Sequence, residues 1–130
     1  MKKSIVKILA LSIVAVMMCV VLVSCGAPNS DPDKALASLK DNDYAAAEDK
    51  ILVPTALRLL GVEDIDTVIS GTNKDGDHVT VIYFEDKAAA NDAWEDVKEY
   101  FEDEKDDDWT IKKSGAMIYW GTSAGIKAAK

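Results

Sequence analysis

The sequence predicts a small two-layer α+β domain, in which helices pack on an antiparallel sheet built from two hairpins. Three observations carry this. Ile65 to Thr72 and His78 to Phe84 are β-branched and aromatic runs separated by Asn73-Lys74-Asp75-Gly76-Asp77, where Asp75-Gly76 is a hairpin turn signal. Trp109 to Lys113 and Ala116 to Gly121 repeat the pattern about Ser114-Gly115. Between the hairpins, Ala90, Ala93, Trp94, Val97 and Phe101 recur at helical spacing.

Taken in order, Asp31-Pro32-Asp33 opens the first helix of the domain, with Asp31 as its cap and Pro32 at the first helical position. Ala35, Leu36 and Leu39 give it a narrow apolar face, and it ends near Asn42. Residues 44–53 read two ways. Their alanines favour helix, whereas their place between two turn signals suits a short strand. Pro54 opens the next helix, with Ala56, Leu57, Leu59 and Leu60 on its buried side and Gly61 closing it.

A two-residue turn in the first hairpin sets Ile69 opposite Ile82, Ser70 opposite Val81 and Val68 opposite Tyr83. Asp86 caps a long helix from about Lys87 to Asp103, whose outer face carries Glu95, Lys98, Glu99 and Glu102. In the second hairpin, a turn at Ser114-Gly115 pairs Trp109 with Trp120 and Ile111 with Ile118 as the core set. Thr110, Lys112, Met117 and Tyr119 then lie on the other face. Thr122 or Ser123 caps a last short helix, with Lys127 and Lys130 suited to the negative end of its dipole.

A strand at 44–48 makes the order βαββαβ. That order resembles a ferredoxin-like fold with a helix added at each end and one extra strand. A helix over 44–53 instead leaves helices packed on a four-stranded antiparallel sheet. In either case Trp94, Phe101, Trp109 and Trp120 are the expected centre of the core.

The chain ahead of this domain has a different character. Lys2, Lys3 and Lys7 precede residues 8–23, an apolar run of sixteen residues without a charge. A charged start and an apolar run of that length describe a secretory signal, and crossing a bilayer takes a helix of about 20 residues. Leu22-Val23-Ser24-Cys25 followed by Gly26 resembles the lipobox of bacterial lipoproteins. The resemblance implies cleavage after Ser24, a diacylglyceryl thioether and further fatty acylation, such as palmitate, on Cys25. Residues 1–24 are then the signal peptide, 25–30 the lipidated cysteine and its tether, and 31–130 the domain. An ordinary signal peptide and a retained membrane helix are the alternatives. In each, the lysines hold the N-terminus inside and the domain lies outside the cytoplasmic membrane.

Charge makes the lipid necessary. Of the 15 lysines and arginines three lie in the leader, so 12 oppose 23 acids and residues 25–130 carry a net charge of −11. Such a domain repels nucleic acid and anionic lipid, so charge is not expected to hold it to a membrane. Stable anchoring takes two acyl chains, at ~0.8 kcal/mol per buried methylene, and a diacylglyceryl group supplies them. Once Cys19 leaves with the signal, Cys25 has no partner for a disulfide, and no cysteine remains for zinc or redox chemistry. Residues 26–30 span at most about 17 Å when extended.

No chemistry-bearing motif stands out. The acidic run Glu102 to Asp108 opposes a helix dipole, and a divalent cation would relieve it; a solvated helix end is the plainer reading. Asn73 to Asp77 lacks the remaining positions of a calcium loop. His78, the only histidine, has no Gly-x-Ser-x-Gly, His-x-x-Glu-His or Ser-x-x-Lys motif around it. Paired carboxylates for glycoside hydrolysis would need a deep cleft. The expectation is no catalytic residue, no metal site, no cofactor and no nucleic-acid partner. Lys112, Met117 and Tyr119 are the candidate interaction surface, either open to a partner or covered by the terminal helix. The ferredoxin-like resemblance implies homodimer pairing through that face.

The stretches KDGDHVTVIYFEDKAAANDAW and MIYWGTSAGIKAAK look like those of small, uncharacterised lipoproteins of Gram-positive anaerobes. That similarity implies no activity. The expected function is a membrane-anchored binding module for a protein or cell-envelope ligand. A cation or small-ligand sensor and a cell-envelope hydrolase with an unfamiliar site are its alternatives.

Overall fold

A computed structural model of the chain describes residues 26–130; Ser24 and Cys25, with residues 1–23, lie outside the described residues. The elements are α1 (Pro32–Asp41), β1 (Ala45–Glu48), α2 (Leu52–Leu59), β2 (Ile65–Thr72), β3 (His78–Phe84), α3 (Lys87–Glu104), β4 (Thr110–Ser114), β5 (Met117–Gly121) and α4 (Ser123–Ala128). They form an α+β domain with one antiparallel sheet in the order β1-β2-β3-β5-β4. Among the described residues no helix is long and apolar enough to cross a membrane.

The ambiguous segment divides. Ala45–Glu48 is a strand, and α2 begins at Leu52. Asp49 sets that division, because its carboxylate accepts from the backbone N–H groups of Ile51, Leu52 and Val53 at 2.9–3.0 Å. These are the orphan donors of a helix start. The strand order departs from the ferredoxin-like arrangement, in which a strand intervenes between β1 and β2. Here β1 pairs directly with β2, with Ala46 opposite Gly71, and remains at the edge. The small side chains at both positions permit this close approach.

Both hairpins exist with shifted registers. Ile69 faces Val81 and Val68 faces Ile82, one residue from the two-residue-turn expectation. The cause is Asn73, whose side-chain oxygen accepts from the N–H groups of Asp75 and Asp77 at 3.0 and 2.9 Å and so holds a five-residue loop. Only Gly76 in that loop has positive φ (88°). The second hairpin turns at Gly115-Ala116, so Ile111 faces Trp120 and Lys113 faces Ile118. A shift of two preserves the faces, but it leaves Trp109 beyond the strand.

Two apolar clusters lie on opposite faces. Val68, Ile82, Phe84, Ile118 and Trp120 meet Leu57 of α2 and Ala90, Ala93, Val97 and Phe101 of α3. Ile69, Val79, Val81, Tyr83, Met117 and Tyr119 meet Ala35 and Leu39 of α1, Ile126 and Ala129 at the C-terminal end, and Ala27. Trp120 and Phe101 are buried as expected, whereas Trp94 and Trp109 sit at the rim. Leu57 is fully buried, but Leu59 and Leu60 are exposed, contrary to the expectation for α2. A helix of eight residues presents only about two turns, and the sheet takes one side of it.

Residues 26–30 are part of the fold and not a free leash. Ala27 and Pro28 are buried. The Asn29 N–H donates to the Ala129 carbonyl at 2.8 Å, its side-chain N–H to the Lys130 carbonyl at 3.2 Å, and the Tyr83 hydroxyl to the Asn29 carbonyl at 2.7 Å. A further bond, Ser38 Oγ to the Ala128 carbonyl at 2.7 Å, fastens α1 to α4.

Candidate functional site

The three sequence-derived surface residues separate. Met117 and Tyr119 are buried, 6% and 1% exposed, because α1, α4 and residues 27–29 cover their face of the sheet. Lys112 alone is exposed. The face through which the ferredoxin-like resemblance implied dimer pairing is therefore occupied by the chain itself.

Two of the three nevertheless meet at a cavity. Cross-strand partners Lys112 and Tyr119 stand side by side on the covered face. Along α4 and just beyond it, Ser123, Ile126, Lys127 and Lys130 follow the i, i+3, i+4, i+7 spacing that keeps side chains on one helix face. Together with Thr110 and Gly26 they line a cavity of about 390 Å³, within the size range of small-ligand sites. Thr122 fixes the direction of α4, its hydroxyl accepting from the Gly125 N–H at 3.0 Å.

The cavity is cationic. Lys112, Lys127 and Lys130 surround it, while the ion pairs among the described residues are Lys98–Glu95 and Lys105–Glu102. None of the three lysines thus has a carboxylate side-chain partner there, and residues 1–25 contain no acid. The Tyr119 hydroxyl makes no hydrogen bond among the described residues, and burial raises its pKa. It stays protonated near neutral pH and is available as a donor.

His78, at the start of β3, is half-buried. Its ring stacks on Trp109, with centroids 4.4 Å apart and planes 13° from parallel. His78 Nε2 lies 2.7 Å from Thr80 Oγ1, which lies 3.4 Å from Ser70 Oγ. Burial lowers the His78 pKa, and the nearby Asp106 carboxylate opposes that shift. A neutral imidazole beside a hydroxyl has the composition of a base and nucleophile. Thr80, however, is only 2% exposed, and the Trp109 indole covers one face of the imidazole. The shifted hairpin register creates this stack, which is why spacing alone missed it.

The acidic run Glu102 to Asp108 is exposed throughout. Lys105 caps α3 by donating its N–H to the Phe101 carbonyl at 2.8 Å and pairs with Glu102 at 3.2 Å. Among the described residues no three histidine, cysteine or acidic side chains are grouped so as to hold a metal ion.

No family model matches the chain, and no curated protein and no solved structure matches it either.

Proposed function

We propose that the protein is a lipid-anchored binding module without enzymatic activity, held through Cys25 on the outer side of the cytoplasmic membrane. The lipobox-like Leu22-Val23-Ser24-Cys25 supports the anchor. The observation that carries the module reading is the bonding of Asn29 to Ala129 and Tyr83. With Gly26 to Ser30 absorbed into the domain, Cys25 is attached to the folded body one residue before Gly26. Consecutive Cα atoms are 3.80 Å apart. The body therefore rests close to the bilayer, with the lysine cavity beside the anchor.

The surface left for a partner is the apolar rim of α2, on the other face of the sheet from α4. Ile51, Leu52 and Leu59 are 70%, 76% and 83% exposed there. Large aliphatic side chains this exposed are a feature of surfaces that contact other proteins. A cell-envelope protein offering a complementary apolar surface is the partner they suit.

Photo-crosslinkers placed at Leu52 and Leu59 in intact cells test this. The expected result is a discrete adduct at both positions that disappears in Cys25→Ala cells, together with loss of fatty-acid labelling. Adducts no different from those of a crosslinker at Lys74, in the β2–β3 loop, would contradict the reading.

A further inference from the structure

The geometry points to the cavity of Lys112, Tyr119, Lys127 and Lys130 as a binding site for the anionic headgroup of a phospholipid in the leaflet that holds the Cys25 acyl chains. The inference rests on the proposed anchor for where the headgroup comes from, and on the cavity's own chemistry for what it binds.

Four observations converge. Three lysines without carboxylate side-chain partners among the described residues face one cavity of about 390 Å³. Tyr119, a residue only 1% exposed, lines the same cavity, and its hydroxyl makes no hydrogen bond among the described residues. A protonated hydroxyl and three ammonium groups are all donors, and together they suit a phosphodiester oxygen. Ile126 and the Tyr119 ring supply an apolar wall for the glycerol end. Finally, Gly26 forms part of the lining, so the residue predicted to carry the lipid is adjacent in the chain.

The domain's net charge of −11, from 12 basic against 23 acidic residues, does not forbid this. At physiological ionic strength charges beyond about 8 Å are largely screened. A headgroup in the cavity responds to the nearest groups, which are lysines. A chain-terminal carboxylate at Lys130 would offset one of them and leave two. Only where other parts of the body come within that distance of the surface do their carboxylates oppose it. The cavity thus orients the domain as well as binding it.

The test uses the full-length chain, purified from membranes and reconstituted into vesicles of phosphatidylcholine alone or of phosphatidylcholine with phosphatidylglycerol. Amine-reactive labelling of each lysine is read by mass spectrometry. Lys112, Lys127 and Lys130 should be protected several-fold in the mixed vesicles relative to phosphatidylcholine, with Lys74 labelled equally in both. Lys127→Gln with Lys130→Gln should abolish the protection of Lys112; both side chains are exposed, so the fold is retained. Equal labelling in the two vesicles overturns the proposal. Protection by added inorganic phosphate in phosphatidylcholine vesicles also overturns it, assigning the cavity to a soluble anion. The same spectra read the Cys25 acyl group independently. Protection without acylation refutes the anchor and keeps the cavity; acylation without protection does the reverse.

Discussion

Asn29 and Ala129 lie a hundred residues apart in the chain, yet the Asn29 N–H donates to the Ala129 carbonyl at 2.8 Å. That bond ties the segment nearest the predicted lipid to the last helix and turns a tether into a foot. Tyr83 reinforces it from β3, its hydroxyl donating to the Asn29 carbonyl at 2.7 Å. Burial holds that hydroxyl well above the ordinary phenol range, so it remains a donor at any physiological pH.

Tyr83→Phe should therefore lower stability by about 1 kcal/mol, the net worth of one intramolecular hydrogen bond. Urea unfolding checks the magnitude. Limited proteolysis should show faster cleavage near Asn29 in the variant, since the carbonyl it loses a donor to lies in that segment. Unchanged cleavage would mean that Asn29 is held by other contacts.

The two leucines of α2 should behave oppositely. Leu57 is fully buried against Val68 and the α3 face, and Leu57→Ala should cost about 2–5 kcal/mol. Leu59→Glu should change stability by no more than about 0.5 kcal/mol, because its side chain is solvent-exposed. If Leu59→Glu unfolds the protein, the rim is a packing surface and not a contact surface.

Gly121 and Gly125 clamp the His78 carbonyl. A Cβ built at either position would collide with that oxygen, and Gly121 also has φ of 147°. Gly125→Ala should destabilise by about 1–3 kcal/mol through overpacking, and Gly121→Ala by at least as much, since backbone strain adds to the clash. Thermal unfolding of the two variants measures both effects.

His78 should make stability depend on pH in a definite direction. Burial lowers its pKa in the folded state from the ordinary 6.5, so the unfolded chain binds the proton more readily. Stability rises with pH wherever the unfolded state holds more protons. The contribution is present above about pH 6.5 and is lost as the pH falls below it. His78→Gln should flatten that part of the melting-temperature profile between pH 7.5 and 5.5, two values on either side of about 6.5. An identical slope in wild type and variant would remove the histidine from the account.

Much of the fold was legible from local signals. The spans of β2 and β3 follow directly from their β-branched runs, and Asp31, Asp86 and Thr122 cap their helices as expected. What escaped depends on groups distant in sequence or on backbone atoms. A loop held open by the Asn73 side chain moved one register, and a turn placed one residue later moved the other. Leu59 fits an apolar helical pattern perfectly well, but nothing in α2 says which side the sheet will take. The foot was illegible because its partners are a carbonyl at Ala129 and a hydroxyl at Tyr83. The cavity left one trace, the spacing of Ser123, Ile126, Lys127 and Lys130, which reads first as a helix end suited to its dipole.

The central claim is that the domain stands on the membrane in one attitude, with its lysine cavity down. With Cys25 acylated and Cys19 removed, a cysteine introduced at Thr110, on the cavity wall, or at Leu59, on the far rim, is the single thiol available to a nitroxide label. Electron paramagnetic resonance of the acylated chain in phosphatidylglycerol-containing vesicles then reads the depth of each label. The account predicts a label at 110 in the headgroup region, shielded from a water-soluble relaxation agent, and a label at 59 fully accessible to it. Equal, water-like accessibility at both positions would show a domain swinging freely on its lipid and would contradict it.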